Sequence, residues 1–385
     1  MLLEDFAVEG HKLILSGENA NGIFEIDRQS KKLSLLFMLE QPEKRFRRYG
    51  STIKYKDKFF FTPLSEDHIL VYERQKNTID KIPLPPVRDK TDERMENDKL
   101  LPFAMWNNML YLFPWRYPLL VRLNMDTYET KVITDWRKDF EGYITNRLLT
   151  YFRKDVVSYD GSAYLITWNY PLVLKFDMET GGHEMILLEK CPDGFSTICR
   201  AGQWLLLSDR KGRVYKTDNL FSIIEDIELS RECEGIIFKE SFFLDGKVWL
   251  VPVKGKMLVW LDGETSDSGT IAFGTQGQDD VRFLCVKPMD SHTILLHTSA
   301  EELFTFDTER KEVNEFQIQV DEAEEKYLEG LINGKRDRML CECNRFSCSF
   351  RRYIDVMKKS HGKEDQTIIS ERCGDRIYEW MKKSV

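Results

Sequence analysis

The sequence predicts an all-β fold, a seven-bladed β-propeller, followed by a short C-terminal α-helical tail. Three features predict it: seven similar apolar segments, a tight turn before each of them, and a second strand after each. Closed repeat architectures of this kind let a chain of 385 residues form one continuous core. We therefore assign residues 1–321 to the propeller and residues 322–385 to the helical tail.

Short apolar segments recur along the chain at intervals of 46, 51, 54, 41, 43 and 46 residues. Their length and their aromatic content are typical of strands that are buried on both faces. A period of about 40 to 50 residues is typical of propeller blades, whereas a pair of β-sandwiches would not require one pattern seven times. The segments begin at Lys12, Lys58, Met109, Ala163, Trp204, Lys247 and Thr293.

The turns between strands carry signals of their own. Pairs such as Asp160-Gly161 and Asp245-Gly246 tolerate the positive φ that two-residue hairpins require. In five of the seven repeats the strand that follows the apolar segment ends in aspartate, which can bind the backbone two residues on and start a turn. The first inner strand is predicted at Glu4 to Glu9, so every blade can form from contiguous sequence.

The charge distribution disfavours a nucleic-acid partner, because such partners require clustered positive charge. The formal net charge is −8. From Asn333 onward, 13 Lys and Arg stand against 8 Asp and Glu, so a mildly basic tail follows an acidic body.

The N-terminal residues lack the basic and apolar regions of a secretory signal. No window approaches the ~18 apolar residues of a membrane span. Several of the eight cysteines, such as Cys285, lie within apolar, strand-like segments. These features predict buried thiols in a reducing cytoplasm, with no membrane span and no disulfide framework.

Two loop motifs carry a family resemblance. The segments 110–118 (Leu-Tyr-Leu-Phe-Pro-Trp-Arg-Tyr-Pro) and 164–171 (Tyr-Leu-Ile-Thr-Trp-Asn-Tyr-Pro), together with the ending at 374–380, resemble uncharacterised bacterial Kelch-like propellers. The resemblance covers the whole chain and implies a glycan-related role, such as carbohydrate binding. The chain has no Gly-Gly pair at the blade position where typical Kelch repeats carry one, and it has no Gly-His…Trp-Asp pattern of WD40 repeats. No catalytic residues follow from the resemblance.

The loops between second and third strands contain the candidate ligand-binding residues. In a propeller these loops share one face with the connections between blades. Aromatic rings stack on sugars or bases, and guanidinium groups bind carboxylates or phosphates. The alternative is that the rings fill space between blades. The candidates in these loops are Trp115, Arg116, Tyr117, Trp168, Asn169 and Tyr170, and a connection between blades adds Arg47 and Arg48.

No catalytic constellation is recognisable, and no phosphate-binding glycine motif is present. We expect a non-catalytic interaction or ligand-recognition propeller, whose partner is a protein or a glycan-like or anionic ligand. One alternative is an enzyme acting on such a ligand at the channel mouth through Glu66, Asp67 or Asp209. Another is a scaffold that binds a partner through its helical tail.

We expect no metal and no cofactor. His292 and His297 are five residues apart, which places them on opposite faces of a strand. Cys341, Cys343 and Cys348 lie near each other in the tail, but their spacing differs from that of the usual zinc knuckle.

The tail loses the strand pattern from Glu322 onward. Ile369, Cys373, Ile377 and Trp380 recur at helical spacing and would share one face. Such helices would either dock on the propeller or bind a partner.

Overall fold

The computed structural model describes most of the chain up to residue 320. These residues belong to the first of the two compact units into which the chain divides, Met1–Glu324. The predicted boundary between residues 321 and 322, the helical tail and the tail cysteines lie outside the described residues and stay predictions. The described residues are 3, 5–17, 22–39, 48–87, 99–143, 150–191, 193–222, 224–273, 281–300 and 302–320.

The described residues form seven four-stranded antiparallel sheets, each made of four consecutive strands. The predicted seven-bladed propeller is confirmed. Blade 1 comprises β1 (Ala7–Glu9), β2 (Lys12–Ser16), β3 (Gly22–Asp27) and β4 (Leu33–Met38). Blade 2 comprises β5 (Tyr49–Tyr55), β6 (Lys58–Pro63), β7 (His68–Glu73) and β8 (Thr78–Pro83). Blade 3 comprises β9 (Leu100–Trp106), β10 (Met109–Pro114), β11 (Leu120–Asn124) and β12 (Thr130–Ile133).

The remaining blades repeat this arrangement. Blade 4 comprises β13 (Val156–Tyr159), β14 (Ser162–Ile166), β15 (Leu172–Asp177) and β16 (His183–Leu187). Blade 5 comprises β17 (Phe195–Ala201), β18 (Trp204–Asp209), β19 (Val214–Thr217) and β20 (Ile224–Ile227). Blade 6 comprises β21 (Phe238–Leu244), β22 (Lys247–Pro252), β23 (Met257–Asp262) and β24 (Ser268–Ala272). Blade 7 comprises β25 (Phe283–Pro288), β26 (Thr293–Thr298), β27 (Leu303–Asp307) and β28 (Glu312–Glu315).

The predicted apolar segments coincide with the second strand of each blade, and they form the core. Phe59, Phe60 and Phe61 of β6, for example, are fully buried. Phe60 packs with residues of blade 3, while Phe59 and Phe61 pack with residues of blade 1. Adjacent residues of a strand point to opposite faces of the sheet. A strand whose sheet packs against a neighbouring blade on each side must therefore be apolar on both faces.

The turns form as their sequences predict. Asp160 and Asp245 adopt positive φ, as do the glycines that follow them. The Asp27 carboxylate accepts hydrogen bonds from the amides of Gln29 and Ser30 at 2.9 and 3.0 Å. The aspartates at the ends of the third strands of blades 4, 6 and 7 do the same.

Direct contacts join blade 7 to blade 1. Lys287 of β25 donates to the Asp5 carboxylate at 2.7 Å. The amide of Leu33 donates to Gln319 and the amide of Gln319 to Lys31, so the chain after β28 pairs with the edge of blade 1. The ring is closed by these interblade bonds, because each blade is built from its own contiguous segment.

One expectation, the start of the first inner strand, needs correction. The first inner strand begins at Ala7, not at Glu4, because the Asp5 side chain is engaged with Lys287 and with the Thr52 amide. The connection between blades 3 and 4 contains a helix, α1 (Asp135–Glu141), which buries Trp136 and Phe140 between these blades. A short 3₁₀ turn lies at Arg231–Cys233. Within the described chain, no helix has the length and apolar character needed to cross a bilayer.

Candidate functional site

One face of the propeller collects the loops between second and third strands and the connections between blades. We call it the mouth face; it includes loops 64–67, 115–119, 167–171, 210–213 and 253–256. Backbone hydrogen bonds link each connection to a neighbouring loop, as Lys99 does with Leu64 and Trp115 at 3.0 Å each. The Phe195 amide likewise donates to Thr167 at 2.8 Å. The two predicted aromatic loops therefore lie on this face, in consecutive blades.

Tyr117 and Tyr170 take part in packing. Tyr117 is buried within the core between blades 2 and 3, and its hydroxyl donates to the carbonyl of Pro85. Burial, reinforced by the nearby Asp67, raises the pKa of Tyr117 to about 12. Tyr170 is half-buried against the core between blades 3 and 4. These two rings match the alternative in which loop aromatics fill space between blades.

Trp115, Arg116 and Asn169 are half-buried on the mouth face. The amides of Trp115 and Arg116 both donate to the carbonyl of Lys99, which fixes the backbone of this loop. The indole N–H of Trp115 is buried and has no hydrogen-bond acceptor among the described residues.

Trp168 has the most distinctive surroundings of the predicted residues. The guanidinium of Arg153 lies over its ring, 4.5 Å from the centroid, and that of Arg210 lies 5.2 Å from the centroid. Arg153 precedes β13 and is half-buried, whereas Arg210 follows β18 and is exposed. A ring held between blades 4 and 5 thus gathers two guanidinium groups in one place, which an aromatic quadrupole favours.

The Trp168 loop is fixed by a close backbone approach. A side chain at Gly194 would place its Cβ 1.9 Å from the carbonyl oxygen of Trp168 and 2.8 Å from the nitrogen of Tyr170. Only glycine fits there. Thr167 supports the same loop by donating its hydroxyl to the carbonyl of Tyr170 at 2.6 Å.

Arg48 belongs to a separate buried cluster in blade 2. Its Nε donates to Glu66 Oε1 at 2.5 Å, and both side chains are almost fully buried. His68 Nδ1 lies 3.7 Å from Glu66 Oε2. Arg48 therefore stabilises the base of the loop. Arg47, the other predicted arginine of this segment, lies outside the described residues.

The three carboxylates considered for catalysis are held by cations or by backbone. Glu66 pairs with Arg48, and Asp67 pairs with Lys99. Asp209 is fully buried and accepts from Arg213 Nε at 2.6 Å and from the Tyr215 hydroxyl at 3.1 Å. These contacts anchor the loops of blades 2 and 5.

A different set of charged groups lies where the inner strands of blades 4 and 6 begin. The first strands of neighbouring blades run side by side and so line the central channel. Asp155, which precedes β13, accepts from the Ser241 amide at 2.8 Å and from its hydroxyl at 3.2 Å. Lys154 Nζ lies 3.2 Å from Glu240 Oε1, and Lys239 Nζ lies 3.3 Å from the same oxygen.

This channel cluster separates the pKa values of its two carboxyl groups. Burial and the neighbouring Glu240 raise the pKa of Asp155 to about 7, against the lowering influence of Lys154 and Arg153. Burial alone would raise the pKa of Glu240, but Lys154 and Lys239 lower it to about 2. The pKa of Arg153 is lowered by burial. Asp155 is therefore the carboxyl of this cluster that changes protonation near neutral pH.

The sequence interpretation missed Arg153, Asp155 and Glu240. Their signal is weak, since Arg153, Lys154 and Asp155 are consecutive charged residues just before an inner strand, a position that also suits a solvated loop. The contact that Asp155 makes with blade 6 depends on ring closure. Among the described residues, no cluster of three or more His, Cys, Asp or Glu side chains could hold a metal. His297 is buried beside Leu3, and His292 pairs with Asp245.

No known family model matches the chain, and no curated protein matches it in sequence. Solved structures resemble it in fold. YCF48 from Cyanidioschyzon merolae has a TM-score of 0.58 at 12% identity, over 80% of this chain and 96% of that one. Hsv2 from Kluyveromyces lactis has a TM-score of 0.52 at 8% identity, over 82% of this chain and 98% of that one.

A bacterial surface component of a secretion system, PorZ of Porphyromonas gingivalis, has a TM-score of 0.53 at 11% identity. The match covers 81% of this chain and 37% of that one. At such identities the likeness concerns the fold alone. The class of protein is therefore a seven-bladed β-propeller. Membership of a Kelch-like bacterial family stays a prediction.

Proposed function

We propose that this protein is a non-catalytic recognition propeller that binds an anionic ligand on its mouth face, at Arg153, Trp168 and Arg210. The observation that carries the proposal is the position of two guanidinium groups over one half-buried indole ring. Guanidinium groups bind carboxylate, phosphate or sulfate oxygens through paired N–H donors.

The charges around this ring support an anion as the ligand. Among the described carboxylates, none forms an ion pair with Arg153 or Arg210, whereas Arg213 pairs with Asp193 and Asp209. Two guanidinium groups near one ring repel each other, and a bound anion would offset that repulsion. A neutral sugar would have to stack on Trp168, but the guanidinium groups already lie over that ring. The anionic group is therefore the feature that we expect to be recognised.

We also propose that the protein acts in a reducing compartment such as the cytoplasm. The four described cysteines, Cys191, Cys199, Cys233 and Cys285, are buried free thiols, which supports this proposal.

Isothermal titration of the full chain with inorganic sulfate, glucuronate, hexaglutamate and glucose tests the binding proposal. We expect the three anions to bind and glucose not to bind. Hexaglutamate binding tighter than sulfate would indicate an acidic protein segment as the source of the anion, and glucuronate binding tighter than sulfate would indicate an acidic glycan. Binding of glucose as strong as that of glucuronate would contradict recognition of charge.

Variants locate the site. Arg210→Gln should weaken sulfate binding about tenfold, the effect of losing a charge-assisted contact of roughly 1.4 kcal/mol. Arg310→Gln is the matched control, because Arg310 is an exposed arginine beyond β27, outside the mouth face. Equal affinities of both variants and the unmodified chain would refute the placement.

A further inference from the structure

Asp155 lies two residues after Arg153, in the short segment that leads into β13. The two side chains interact electrostatically, since Arg153 favours the ionised carboxylate. Asp155 is also held at a fixed position, because Ser241 binds its Oδ2 through both amide and hydroxyl. A titratable group is thus locked beside one of the two arginines of the proposed anion site.

We infer that anion binding at Arg153 and Arg210 is coupled to the uptake of a proton by Asp155, so that the protein binds its ligand more tightly in acid than in base. This inference rests on the proposed anion site and adds its regulation. A bound anion near Arg153 lowers the positive potential that stabilises the ionised Asp155 carboxylate. Protonating Asp155 removes a like charge next to the ligand.

Few other groups around Asp155 could take up the proton in its place. From its own segment Arg153 and Lys154 face it. Lys154 keeps its charge near neutral pH, because Glu240 raises its pKa against the lowering effect of burial. From β21 it meets Glu240, whose pKa is about 2 and which stays ionised. From β17 it meets Cys199, whose thiol pKa is raised by burial. Asp155 has a pKa of about 7 in the unliganded protein, so its protonation responds to small changes of potential.

Sulfate is the suitable probe, because it carries two negative charges throughout the range from pH 6 to 8.5. We expect its affinity to fall about three- to tenfold between these values, since a tenfold change corresponds to one unit of pKa shift. Titrations at pH 7 in the cationic buffers imidazole and Bis-Tris should give different heats, because the proton taken up comes from the buffer.

Asp155→Asn should bind sulfate at every pH with the affinity that the unmodified chain shows at pH 6, and its heat should not depend on the buffer. His68→Gln is the control for the histidine near the mouth face, and it should keep the full pH dependence. Loss of the dependence in His68→Gln, or equal affinity at pH 6 and 8.5 in the unmodified chain, would overturn the coupling while leaving the anion site intact. Absence of sulfate binding at all pH values would instead remove the proposed function itself.

Discussion

The Asp155 carboxylate in blade 4 accepts two hydrogen bonds from Ser241 in blade 6, a residue 86 positions further along the chain. The whole of blade 5 lies between these two residues in the sequence. Asp155 also lies close to Glu240, and this crowding adds to burial in raising its pKa to about 7. One carboxyl group thus tethers two blades and titrates near neutral pH.

Asp155 should make the stability of the protein depend on pH. Its folded pKa lies above the unfolded value of 3.8, so the native state binds more protons, and its contribution falls as pH rises from about 4 to about 7. Asp155→Asn removes this loss of stability with rising pH. Relative to the unmodified chain, the variant should gain roughly 1–3 kcal/mol between pH 5 and 8, measured by urea denaturation.

The comparison of the two proteins cancels other titrations, such as that of His68, whose pKa is lowered by burial. Glu240 contributes in a different window: its pKa is lowered to about 2, so its stabilisation is lost only as pH falls through acidic values. A stability difference that stays constant from pH 5 to 8 would show that Asp155 is ionised throughout.

Substitution of Trp168 and of Trp136 should distinguish a role in ligand binding from a role in core packing. Trp136 is fully buried, so Trp136→Ala should destabilise the fold by roughly 3–5 kcal/mol. Trp168 is half-buried, so Trp168→Ala should cost less stability but weaken sulfate binding, because both arginines lose the ring that positions them. Thermal denaturation and calorimetric titration of both variants check this. A large loss of stability in Trp168→Ala with unchanged affinity would assign the ring to packing.

Gly194→Ala should disturb the backbone of the Trp168 loop. The added methyl group would overlap the carbonyl of Trp168, and backbone cannot give way as a flexible side chain does. We expect a loss of about 1–3 kcal/mol in stability and weaker sulfate binding. Gly182→Ala is the control, since its nearest neighbour is the Thr180 hydroxyl at 3.2 Å. Equal melting temperatures of the two variants would contradict the close approach.

The described cysteines should react slowly with a thiol reagent in the native protein. Burial raises the pKa of Cys191 to about 11 and that of Cys285 to about 12, so little thiolate is present at neutral pH. After unfolding without reductant, all eight cysteines of the chain should titrate. A count of six would reveal a disulfide and contradict the expected reducing compartment.

The sequence by itself determined the blades. The apolar second strands and the turn residues act locally, through hydrogen bonds between neighbours such as those that Asp27 makes with Gln29 and Ser30. Such interactions repeat wherever the pattern repeats, so the number of blades equals the number of repeats in the sequence. The aromatic loops could also be placed on one face, because strand direction alternates within each blade.

Only the tertiary structure decided which loop residues form a site. Tyr117 and Trp168 occupy equivalent loops, yet one is buried in the core and the other carries two guanidinium groups. That difference depends on which side chains the neighbouring blades supply, and Arg210 reaches Trp168 only because blades 4 and 5 are adjacent. The pairing of Asp155 with Ser241 likewise requires a closed ring. Long-range contacts of this kind follow from how the blades are arranged in space, which local sequence patterns do not encode.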